Sequence, residues 1–195
     1  GATVTGTVRN ANGSSAPGAN VALYYGGQAL QWASTDANGL FTFSRVAAAT
    51  YQICATPPLG VVAGDRCFDA KADLASATAI PLTDGQTRSG VDITFLAPAT
   101  ISGTVTKTGG AAVGQVQVTV TPSPCSGYCN PTYAVTDAAG KYSASVQAGS
   151  YTVCFSPPVG VLLAECNLDK TYTSSGGDPV SAAPGSTVTV NATLA

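Results

Sequence analysis

The sequence has no histidine, no methionine and a single tryptophan. It is also poor in charge: Lys+Arg number 8 and Asp+Glu 10 in 195 residues, a net charge of -2. Without histidine there is no Ser–His–Asp or Cys–His pair, no His-ligated zinc and no HExxH helix. So few basic residues exclude the electrostatic footprint of a nucleic-acid binder and the basic face of a membrane-surface helix. No stretch approaches the ~20 apolar residues needed to span a bilayer, so membrane insertion is not expected. A chain that opens on Gly1 and contains no methionine is expected to be a processed product or part of a longer chain. General acid–base work would fall to a few scattered carboxylates, and no enzymatic activity and no cofactor are expected.

What the sequence does have is self-similarity. Thr35-Asp36-Ala37-Asn38-Gly39-Leu40-Phe41 returns as Thr136-Asp137-Ala138-Ala139-Gly140-Lys141-Tyr142. Tyr51-Gln52-Ile53-Cys54-Ala55-Thr56-Pro57-Pro58 returns as Tyr151-Thr152-Val153-Cys154-Phe155-Ser156-Pro157-Pro158, and Val4-Thr5-Gly6-Thr7-Val8 as Ile101-Ser102-Gly103-Thr104-Val105. The matches keep their order at an offset of about one hundred residues, which predicts two copies of one unit. The boundary falls in Leu96-Ala97-Pro98-Ala99-Thr100, giving units over 1–97 and 98–195.

Within each unit the dominant period is two, as in Val4-Thr5-Gly6-Thr7-Val8, Val116-Gln117-Val118-Thr119-Val120 and Val91-Asp92-Ile93-Thr94-Phe95. Such alternation marks half-buried strands, and Gly, Pro, Asn and Asp clusters punctuate it as turns do. No window carries a convincing helical stripe; residues 70–79 come nearest, weakened by Thr and Ser. The expected fold is all-β: two tandem Ig-like or prealbumin-like Greek-key sandwiches of about seven strands each. In Thr-Asp-Ala-x-Gly, Asp36 and Asp137 are expected to form Asx-turns, and Gly39 and Gly140 to supply positive φ. Asn38 adds an oxygen that a calcium loop could use, but Ala139 replaces it in the second copy, and a turn is the expected role.

The six cysteines are even in number, and the repeat pairs them. Cys54 and Cys67 stand where Cys154 and Cys166 stand, so equivalent bonds are expected, leaving Cys125 for Cys129. Alternation puts Tyr51, Ile53 and Ala55 on one face and Cys54 on the other, away from the core, where a disulfide could anchor the returning segment. Closing a loop of that length stabilises by roughly 3 kcal/mol in the chain-entropy picture. A thiolate zinc site would need convergent ligands that are not available. Disulfides imply an oxidising, extracellular setting.

Each half resembles a carboxypeptidase regulatory-like domain, a relative of the collagen-adhesin B-type and transthyretin-like sandwiches. The resemblance rests on the Val-Thr-Gly-Thr-Val or Ile-Ser-Gly-Thr-Val opening, the Thr-Asp-Ala-x-Gly-x-Phe/Tyr hairpin and the Tyr-bearing strand after it. It implies modules that serve as spacers, adhesin stalks or accessory domains. Some adhesin sandwiches form a Lys–Asn isopeptide bond beside a buried acid. Lys107 and Asn191 offer two of the three groups, but Cys154-Phe155 stands where the acid is wanted and Arg9 replaces the lysine in the first copy. The bond is therefore not expected.

For ligand binding the candidates are Tyr24 and Trp32, which could stack on sugar rings. Trp32 and its counterpart Tyr133 share strand faces with Leu30 and Val135, which favours core positions for both. Tyr24 reads as the better outward aromatic; with Thr119 as its counterpart, binding would be confined to the first copy. The acids Asp65, Asp69, Asp73 and Asp84 read as solvated loop residues among Arg66 and Lys71, and Glu165 lies beside a cysteine. The expected role is a non-catalytic extracellular accessory or stalk module of a larger secreted or surface protein from bacteria. Its partners would be the rest of that chain and a polysaccharide or surface protein. A carbohydrate-binding module attached to a secreted hydrolase is the alternative.

Overall fold

A computed structural model describes residues 1–125, 129–158, 162–167, 170–171 and 177–195. Among these residues every regular element is a strand, and the chain divides into two compact units, Gly1–Ala97 and Pro98–Ala195.

The first unit contains β1 (Ala2–Arg9), β2 (Asn20–Tyr25), β3 (Gln28–Ser34), β4 (Leu40–Val46), β5 (Ala49–Thr56), β6 (Arg66–Cys67), β7 (Ile80–Leu82), β8 (Thr87–Arg88) and β9 (Ile93–Thr94). One sheet runs β4-β1-β8 with β9 also on β1; the other runs β3-β2-β5-β6 with β7 also on β5. The second unit contains β10 (Ala99–Lys107), β11 (Gln117–Pro122), β12 (Thr132–Val135), β13 (Lys141–Val146), β14 (Gly149–Ser156), β15 (Glu165–Cys166), β16 (Lys170–Thr171), β17 (Val180–Ala182), β18 (Thr187–Thr189) and β19 (Ala192–Leu194). Its sheets repeat the plan as β13-β10-β18 with β19 on β10, and β12-β11-β14-β15-β16 with β17 on β14. The strands exceed the expected seven per unit because several are two-residue ladders, and because the last edge is split into two short strands, both parallel to the opening one.

Period-two alternation drives the packing. On β1, Ala2, Val4 and Val8 are buried while Thr3, Thr5 and Thr7 are only half-buried. Val4, Val8, Leu23, Phe43, Ile53 and Phe95 fill the first core, and Ile101, Val105, Val118, Val153, Phe155 and Leu194 the second. Burying each such side chain stabilises by about 1.5–3 kcal/mol before conformational entropy is set against it.

The glycine in the opening strand follows from the split edge. Between β8 and β9 the chain crosses close over β1, where the Val91 N–H donates to the Thr5 carbonyl at 3.2 Å. A Cβ on Gly6 would overlap the Val91 carbonyl oxygen, and one on Gly103 the Val190 carbonyl oxygen. The same crossing is tied by the next side chain. Asp92 Oδ1 accepts from the Thr7 N–H and hydroxyl, and Asn191 Oδ1 from the Thr104 N–H.

The Thr-Asp-Ala-x-Gly turn is satisfied residue by residue. Asp36 Oδ1 accepts from the Asn38 and Leu40 N–H groups, Asp137 Oδ1 from those of Ala139 and Lys141, all between 2.8 and 2.9 Å. Gly39 and Gly140 take φ of 75° and 72°. The threonine, which alternation leaves unexplained, is buried in both units. Thr35 Oγ1 donates to the Ala16 carbonyl and accepts from the Ala19 N–H; Thr136 Oγ1 donates to the Val113 carbonyl and accepts from the Val116 N–H. Each hydroxyl thus pins the chain entering β2 or β11. Tyr51 and Tyr151 donate their phenols to carbonyls four residues upstream, at Ala47 and Gln147, the geometry of a tyrosine corner.

Residues 70–79 contain no helix: Lys71 bridges to Cys67, and bends, a turn and irregular chain follow. Asp73 Oδ1 accepts from both the N–H and hydroxyl of Ser76, which closes a turn where a weak helical stripe could be read.

Candidate functional site

The features that set this surface apart lie on the outward face of the β3-β2-β5-β6 sheet and of its counterpart. Directly opposed residues in a ladder share a face. Trp32 lies opposite Ala22, Ala22 opposite Cys54, and Cys54 opposite Cys67, one row across four strands. In the second unit the row is Tyr133, Thr119, Cys154 and Cys166. Disulfides join Cys54 to Cys67, Cys154 to Cys166 and Cys125 to Cys129.

Cys54 points away from the main core yet is buried, because the return segment covers it. Cys54, Cys67 and Ala77 make a small apolar cluster with Tyr24 and Leu74 packed against it. Gln52 Nε2 holds that segment down by donating to the carbonyls of Leu74 and Ala77. In the first unit the bridge thus lies under a second, smaller layer on the outside of the sheet.

The aromatic residues are distributed otherwise than alternation suggested. Trp32 is 63% exposed and Tyr133 59%, with their strand-face companions Leu30 at 51% and Val135 at 57%. Ala33 and Ala134, from the opposite faces, pack on the two cores. Near the corner where these edge strands turn toward the other sheet, the inward position is alanine and the large neighbours stand outward. Tyr24, by contrast, is half-buried against the Cys54–Cys67 cluster. The ladders also change its counterpart: Tyr24 faces Gln52, and Thr121 faces Thr152, so the equivalent of Tyr24 is Thr121, whereas Thr119 corresponds to Ala22. Neither Leu30 nor Tyr133 stood out as a surface residue in the sequence; the available signal was the alanine at i±1 on a strand ending at a hairpin threonine.

The acids are engaged separately. Asp69 accepts from the Thr78 hydroxyl, and Asp84 sits 2.9 Å from the Gly1 ammonium, which with its charge holds the Asp84 carboxyl below the usual carboxylate range. The Ser76 hydrogen bonds lower Asp73 likewise. No group of three or more acids, cysteines or histidines converges among the described residues. Lys107 is exposed at the end of β10, opposite Leu194, while the Asn191 side chain is held by Thr104. In the second core the Tyr142 phenol donates to the Val190 carbonyl at 2.7 Å, and burial pushes its pKa far above 10.0.

The paired sheets and their outward clamps define a class of small disulfide-tied β-sandwich modules. Residues 3–95, nearly all of the first unit, match the family of carboxypeptidase regulatory-like domains. No curated protein matches the chain. Among solved structures the chain is similar to a streptococcal ancillary pilin, at 13% identity and a TM-score of 0.55, over 97% of this chain and 61% of that one. It is also similar to the minor pilin of the Gram-positive pathogen Streptococcus agalactiae, at 13% identity and a TM-score of 0.55, over 100% of this chain and 95% of that one. The chain spans 61% of the length of the ancillary pilin. Likeness at this identity establishes a shared sandwich fold.

Proposed function

We propose that the chain is a non-catalytic extracellular module that acts as a spacer or adhesion segment within a larger secreted or cell-surface protein. The observation that carries this reading is the clamp each unit repeats on its outer sheet face, with Cys54 bonded directly across to Cys67 and Cys154 to Cys166. Such bonds persist in oxidising compartments, and they tie down the segments that a protease would otherwise open first. The sandwich fold shared with an ancillary and a minor pilin supports the reading. A charge-poor surface rich in Thr and Ser adds solubility without strong long-range fields.

The test is limited proteolysis of the intact chain with and without reductant, alongside its intact mass in both states. Resistance that collapses on reduction, with all six cysteines bonded beforehand, is the expected result. Free thiols at Cys54 or Cys154 in protein from its native source would overturn the compartment assignment. Hydrolysis of any polymer, abolished by a single Asp→Asn change, would replace the spacer with an enzyme.

A further inference from the structure

We propose that each unit carries one binding platform for a neutral polysaccharide, centred on Trp32 in the first unit and on Tyr133 in the second; this goes beyond the spacer role and does not depend on it. Both rings occupy the same register position, at the outer end of the row that leads to the disulfide, and both are more than half exposed. Neither is needed for the core, which alanines fill from the other side of the strand. Each ring has an exposed aliphatic neighbour two residues along the chain, Val135 in regular pairing and Leu30 at the register shift of β3. The result in each unit is a short apolar strip running along an open sheet edge.

The chemistry around the strips selects the ligand. Strands β2, β3, β5, β11, β12 and β14 contain no Asp, Glu, Lys or Arg. The groups bordering Trp32 along the ladder are Asn20, Ser34 and Thr56, and those bordering Tyr133 and Val135 are Thr119, Gln117 and Ser156. An uncharged face of amides and hydroxyls around an aromatic ring complements an uncharged sugar polymer, whose ring faces stack and whose hydroxyls both donate and accept. It offers no positive charge to a phosphate or a uronate. Tyr24, packed on the Cys54–Cys67 cluster, is a border residue and not a stacking ring.

The experiment uses the full chain and its Trp32→Ala, Tyr133→Ala and double variants, with unchanged thermal melting as the folding control. Retention on insoluble cellulose, chitin and xylan is measured beside anionic polygalacturonate. Two-dimensional amide NMR then follows titration with the soluble hexasaccharide of whichever polymer is retained. The expected result is retention on at least one neutral polymer and none on polygalacturonate. Shifts should appear around β3 and around β12; each single variant should lose only its own unit's shifts, and the double variant all retention. Retention on none of the neutral polymers overturns the proposal, as does full retention by the double variant or preference for polygalacturonate. Loss of all shifts in Trp32→Ala overturns the second platform. A chain that sediments as a dimer and becomes monomeric only in the double variant would assign the rings to a second copy instead.

Discussion

The two units solve one folding problem with different fillings, and what they share separates requirement from decoration. Position 41 is phenylalanine, packed edge-on to Phe43, while its counterpart Tyr142 packs edge-on to Phe155 and adds a buried hydrogen bond to Val190. Asp92 ties the crossing in the first unit and the uncharged Asn191 does so in the second. The β2–β3 hairpin turns tightly through Gly26 and Gly27, both at positive φ, whereas β11 and β12 are separated by the Cys125–Cys129 segment. Retained through these changes are the glycine under the crossing, the buried threonine, the Asx-turn aspartate, the tyrosine corner and the cross-strand disulfide. Core volume and loop length are negotiable; the places where backbone meets backbone are not.

That contrast can be broken experimentally, most severely at the crossing. Gly6→Ala or Gly103→Ala forces a Cβ into a carbonyl oxygen, and a loss of about 3–4 kcal/mol is expected in chemical denaturation, similar in either unit. Replacing Cys54 and Cys67 together by alanine is expected to destabilise the first unit by roughly 3 kcal/mol, read as faster hydrogen exchange in β5 and residues 66–78. Thr136→Val keeps the shape but strands the Val116 N–H and the Val113 carbonyl; about 2 kcal/mol is expected, and Thr35→Val should match it.

The smallest effect sharpens the difference at position 142. The Tyr142 pKa is raised in the folded unit above 10.0, so the neutral phenol contributes stability that is full below pH 10.0 and is lost as pH climbs toward the folded value. Alkaline denaturation monitored by hydrogen exchange should weaken β13 above that pH. Tyr142→Phe should lose about 1 kcal/mol at neutral pH and flatten the alkaline decline, making the second unit behave as Phe41 makes the first.

Much of this architecture is legible in the sequence, for local reasons. Alternation in Val4–Val8 and Val116–Val120 needs only one face to be apolar, and the Asp and Gly of the turn act within five residues. What is not legible depends on a third strand. Gly6 reads only as one position of an alternating strand until β8 and β9 arrive beside it. Trp32 and Tyr133 read as core because Leu30 and Val135 share their face, and only the corner into β4 or β13 shows that alanine is the inward residue. Tyr24 reads as exposed because residues 66–78, which cover it, have no periodic signal. The one-residue register shift between Leu23 and Tyr24 likewise leaves no mark in the composition of either strand.

The split parallel edge has a consequence for assembly in time. In the first unit the opening strand takes its last partners from Ile93 and Thr94, paired with Val8 and Arg9; in the second, β10 waits for Ala192–Leu194. A polypeptide delivered in order from its amino end therefore cannot close either sandwich until nearly the whole of that unit has emerged. Contacts so remote in sequence make for slow closure, so in each unit the amino-terminal strand is among the first to emerge and the last to be fully paired.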